Sequence, residues 1–117
     1  MINTTAKLFL LLGSASALIA VLLGAFGAHA LKKQLSADML AIFQTGVQYH
    51  FYHALGLLAV GFLATQLPET SALKWSGWLM FVGIVIFSGS LYLLSISGLR
   101  WLGAITPIGG VAFIGAW

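Results

Sequence analysis

Between Leu8 and Leu31 the chain carries not one charged residue. As a helix rising about 1.5 Å per residue, that run reaches roughly 36 Å, more than the ~30 Å hydrocarbon core of a bilayer. A barrel strand is excluded, because it needs about 10 residues of alternating pattern rather than an unbroken apolar run. Two further runs follow, at about 41–65 and 73–97, and a shorter one at 101–117. Lys32 and Lys33 close the first. Ser36 is placed to cap the second, with Asp38 favourable in its first turn. Pro68 and Glu69 break the second from the third, and Trp75 and Trp78 stand where interfacial anchors belong.

The predicted fold is therefore all-α. Four transmembrane helices form an up-down-up-down bundle, in one domain over residues 1–117, with short connections making successive helices antiparallel neighbours. Composition agrees: 61% of residues are hydrophobic and 6% charged, too few charges to cover a water-facing surface. The five basic residues are scattered, which argues against nucleic acid, and the absence of cysteine excludes disulfides and thiolate metal sites. The lipid bilayer is the first partner implied. Lys32, Lys33 and Arg100 lie on one side and Lys7 and Lys74 on the other, a bias that sets the first connection in the cytoplasm.

Ala28-His29-Ala30 imitates a signal-peptidase site, but the preceding apolar run is much longer than a signal peptide's. At the other end, the 17 residues from Trp101 reach only roughly 25 Å as a helix, and those from Pro107, with Thr106 as cap, roughly 16 Å. The expectation is a last helix cut short, or completed by residues beyond Trp117.

Three features go beyond membrane insertion. Gly13, Ala17, Ala20, Gly24 and Gly27 recur at alternating steps of four and three, a small-residue stripe that permits close helix packing, within the chain or between copies. Ser88, Gly89 and Ser90 interrupt the third run, where the hydroxyls can bond to carbonyls of their own helix.

The third feature is "FQTGVQYHFYHALG", Phe43 to Gly56, a polar patch inside the second run. At about 100° per residue its side chains sweep one broad side of the helix, from Gln44, Gln48 and Tyr52 through Thr45 and Tyr49 to His53 and His50. Such a side is costly against acyl chains, so Gln44, Gln48, Tyr49, His50 and His53 are expected to face the bundle interior or a partner subunit. Antiparallel packing brings His29 near the level of Gln44, above His50.

Three functions compete for this cluster. The leading one is structural: hydrogen bonds across helices that fix the bundle, a homo-oligomer or a larger membrane complex. The alternative is a proton-linked or small-solute conductor along the His/Gln/Tyr face, weakened by the lack of an intramembrane carboxylate. The third is a redox accessory holding haem, copper or a quinone by imidazole. No carboxylate or thiolate completes a metal site, so no metal, cofactor or catalytic residue is predicted, and the protein is read as a non-enzyme.

"GAFGAHALK", "TGVQYHFYHALGLL", "FSGSLYLL" and "GAITPIGGVAFIGAW" occur in that order over nearly the whole chain. With them the chain resembles domain-of-unknown-function family 423, small bacterial inner-membrane proteins of the YgdD type. The resemblance implies four transmembrane helices and a multi-pass inner-membrane location. It implies no activity.

Overall fold

A computed structural model of the chain describes residues 3–68 and 70–117; Glu69, half of the expected Pro-Glu break, lies outside them. Among the described residues the fold is all-helical. Helix α1 spans Thr4–His29 and α2 spans Ala37–Gln66. Helix α3 runs over Ser71–Ser97 with a π-helical turn at Ile84–Ser88, and α4 over Thr106–Ala116.

Local chemistry sets the ends. Asn3 caps α1, its Oδ1 accepting from the Ala6 N–H at 2.7 Å. Ser36 caps α2 through the Met39 N–H, and Thr70 caps α3 through the Leu73 N–H. Gly98 ends α3 at φ 74°, a left-handed conformation that glycine adopts without the usual Cβ penalty. Helix α4 begins later than the apolar run because Arg100–Ala104 forms a 3₁₀ turn first. Thr106 does not cap it. Its hydroxyl turns back to the Leu102 carbonyl and to Ser90 Oγ.

By length and composition, Thr4–Lys33 and Ser71–Ser97 are able to cross a membrane, whereas Arg100–Ala116 is apolar but shorter. Four spans were expected, and these two meet that test. Helix α2 has the length, 30 residues, but its polar patch dilutes its hydropathy.

The helices do not form a square bundle. The molecule measures 48 × 27 × 15 Å. Helix α1 packs chiefly on α2, α2 on α3, and α3 on α4, while α1 barely touches α3. The core joins Phe9 of α1, Leu57 and Val60 of α2, Met80 and Ile84 of α3, and Phe113 and Ala116 of α4.

Glycines let the backbones approach. A Cβ on Gly13 would stand 2.9 Å from the Leu58 nitrogen, and one on Gly61 2.9 Å from the Leu10 nitrogen. Gly27 holds the Phe43 ring in the same antiparallel register, which sets His29 level with Ile42. The small stripe of α1 is not uniform. Gly13, Ala20 and Gly27 are buried, whereas Ala17 and Gly24 are half-buried. A Cβ on Gly24 meets only a Val47 methyl at 3.4 Å, and side chains yield where backbones cannot. Gly13→Ala is therefore expected to cost about 1–3 kcal/mol and Gly24→Ala under about 0.5 kcal/mol. Thermal unfolding of the two variants in one detergent checks this, and similar losses would contradict it.

Candidate functional site

The polar side of α2 divides in two. His50 and His53 are buried, each 5% exposed. Gln44, Gln48, Tyr49 and Tyr52 are exposed, Tyr49 by 40% and Tyr52 by 50%. Of the two faces expected for Gln44, Gln48 and Tyr49, the bundle interior or a partner subunit, the single chain does not supply the first. Helices in a flattened array cover less than the full circumference of α2, and its polar arc is wider than the covered part.

Each histidine has its own set of partners. His50 Nδ1 lies 2.8 Å from the Tyr92 hydroxyl of α3, and the ring faces the Ser16 backbone of α1. One imidazole thereby meets three helices. His53 lies flat on the Phe113 ring, centroids 3.5 Å apart, and so joins α2 to α4. Its Nδ1 is 2.8 Å from the Tyr49 carbonyl, and its Nε2 accepts from the Trp117 indole N–H at 3.1 Å. A carbonyl only accepts and an indole N–H only donates. The neutral Nδ1–H tautomer alone satisfies both contacts of His53.

Between them runs a third tie. Ser88, at the end of the π turn, donates to the Gly46 carbonyl at 2.7 Å. That carbonyl belongs to the neighbouring helix, not to α3 as the sequence suggested. Ser90 does bond within α3, to the Phe87 carbonyl, and also meets Thr106 of α4 at 2.6 Å. Ser76 reaches the Ala116 carbonyl at 2.6 Å, and Asn3 Nδ2 the Ala64 carbonyl at 3.1 Å. Interhelical bonds in membranes average about 0.6 kcal/mol and reach about 1.7. Ser88→Ala should accordingly lower stability by about 1 kcal/mol, measured by unfolding in mixed micelles, with Ser97→Ala, an exposed hydroxyl that bonds only locally to the Leu93 carbonyl and the Leu99 N–H, as the near-neutral control.

His29 is exposed at the end of α1 and joins neither histidine. Among the described residues no three of His, Cys, Asp and Glu gather closely enough to hold a metal ion. Beside His53 opens a shallow cleft of about 360 Å³, walled by Tyr49, Phe87, Phe113, Ile114 and Trp117. A larger one of about 590 Å³, around Leu67, Thr70, Trp75 and Ser76, contains none of the candidate polar residues.

The sequence reading did not single out Tyr92, Ser16 or Trp117 as partners of the histidines. The available signal for Tyr92 was its position four residues after Ser88, on one face of an otherwise apolar helix.

A model of a protein family described as "Protein of unknown function (DUF423)" matches residues 23–110. Among curated proteins, the UPF0382 membrane protein YwdK of Bacillus subtilis is 57% identical, over 95% of this chain and 90% of its own length. A UPF0382 membrane protein of Staphylococcus saprophyticus is 50% identical over 95% of this chain and 91% of its own. One from Staphylococcus aureus is 45% identical over 95% and 89%. No solved structure matches the chain.

Proposed function

The chain belongs to the DUF423 family and is a membrane protein, and from that premise we propose that it is a multi-pass, non-enzymatic component of the bacterial inner membrane that associates with itself or with a larger membrane complex. In this reading residues 1–117 form one transmembrane domain. The three long helices cross the bilayer, and the short α4 enters it beside α3.

One observation carries the reading: His50 and His53 are both consumed by contacts within the chain. A proton relay needs groups that hand a proton from one to the next. Here the two rings turn to different neighbours, Tyr92 and Ser16 for one, Trp117 and the Tyr49 carbonyl for the other. A metal or haem ligand needs a ring nitrogen aimed at open space, and both nitrogens of His53 already face protein groups. Interhelical cross-linking is the role these contacts do support. The exposed Gln44, Gln48 and Tyr52 then remain as polar surface for assembly.

Extraction in mild detergent tests this. The expected particle contains several 12.4 kDa chains, or one chain with a stoichiometric protein partner. A monodisperse single chain that carries a visible absorption band would refute the proposal.

A further inference from the structure

We propose that the Gln44–Gln48–Tyr52 edge of α2 is the seat of a second copy of this chain, docked α2 against α2 about a two-fold axis normal to the membrane. The proposal rests on the membrane-assembly reading above and names the partner and the surface.

Depth is the first argument. Helix α2 is 30 residues long, so it extends roughly 45 Å and its midpoint falls near Phe51. A hydrocarbon core of about 30 Å then takes in Gln44, Gln48 and Tyr52. Acyl chains offer these groups no hydrogen-bond partner.

Unmet hydrogen bonding is the second. Gln48 Nε2 donates to the Tyr52 hydroxyl at 2.6 Å, which leaves the Gln48 carbonyl and the Tyr52 O–H proton open. Gln44 makes no side-chain hydrogen bond among the described residues. Thr45 beside them is satisfied by the Ala41 carbonyl and asks for nothing more. The open groups are thus a mixture of donors and acceptors, without charge.

That mixture identifies the occupant. Copies inserted in the same orientation hold each residue at the same depth, so a two-fold axis along the membrane normal sets Gln48 opposite Gln48 and Gln44 opposite Gln44. A primary amide has both a carbonyl and an NH₂, so it pairs with its own twin. A carboxylate or an ammonium at this position would instead repel its copy.

Spacing is the third argument. Ala41, Gln44, Gln48, Tyr52, Leu55 and Ala59 are all exposed, and they recur at steps of three and four. Their mean step is about 3.6 residues, so they follow one face of the straight helix, with alanine at both ends to admit a close neighbour.

The natural absence of cysteine makes the test direct. Gln48→Cys is oxidised in intact membranes, beside Leu22→Cys, which lies on α1 at a similar depth and is 59% exposed. Gln48→Cys should give a disulfide-linked dimer of the chain, and Leu22→Cys should give little. In lipid nanodiscs the double variant Gln44→Leu/Gln48→Leu should weaken the dimer at least about tenfold, with helical circular dichroism unchanged. Cross-linking that is as strong at Leu22, or an oligomer indifferent to both leucines, overturns this surface and leaves the assembly reading intact. A different protein captured by Gln48→Cys overturns the second copy as occupant. A wild-type chain that stays single in the bilayer overturns both.

Discussion

Gly109→Ala should dislodge α4, whereas Gly110→Ala, one residue away, should leave it in place. A Cβ on Gly109 would collide with the backbone nitrogen of Phe87 in the π turn of α3, and a backbone in mid-helix has nowhere to go. A Cβ on Gly110 finds the Phe87 ring at 3.8 Å, an ordinary contact. Overpacking of this kind costs about 1–3 kcal/mol. The loss spreads further here, because α4 carries Phe113 and Trp117, the partners of His53. Unfolding temperature and the near-ultraviolet dichroism of the tryptophans should fall for Gly109→Ala and stay near wild type for Gly110→Ala. Equal behaviour would mean that α4 is not seated on the π turn.

The second large effect is expected at His50. His50→Leu removes the hydrogen bond to Tyr92 and leaves the half-buried Tyr92 hydroxyl without that partner. Leaving such a group unsatisfied costs about 1–3 kcal/mol. Tyr92→Phe removes only the hydroxyl and should cost less. If the two residues act as one tie, the double variant should cost less than the single losses added together. A double-mutant cycle should give a coupling between about 0.6 and 1.7 kcal/mol, the range for interhelical bonds in membranes. Additive losses would show that His50 and Tyr92 are neighbours without being partners.

How much of this was legible differs from helix to helix. The uncharged run of α1 announced a long apolar helix, and Ser36 marked the start of α2, because capping is local chemistry. Of the two starts open for α4, Trp101 and Pro107, the helix takes the one that Pro107 favours, but Thr106, which has the character of a cap, is drawn away by Ser90, a pull that the local sequence does not show. The π turn was invisible in the same way. It exists where Ser88 meets Gly46 and Phe87 lies against Gly109, contacts that span 42 and 22 positions of sequence.

The polar patch shows the same division. The helical wheel gathered His50, His53 and the glutamines on one side of α2, and periodicity alone is enough for that. It gave no sign of which part of that side the other helices cover. His53 is buried because Phe113 and Trp117 arrive from α4, 60 and 64 residues later. Gln44 and Gln48 are exposed because no helix among the described residues lies over them. The small stripe of α1 likewise looked continuous in sequence, but a backbone opposes Gly13 and only a methyl opposes Gly24.

The central claim is that the buried histidines hold helices together and do not carry protons or solute. Its most direct test is proton flux into liposomes that contain the purified protein, with a pH difference imposed across the membrane. Wild type and His50→Phe/His53→Phe, both confirmed as inserted and helical, should give the same rate as liposomes without protein. A flux driven by the pH difference, present in wild type and lost in the histidine variant, would contradict the account.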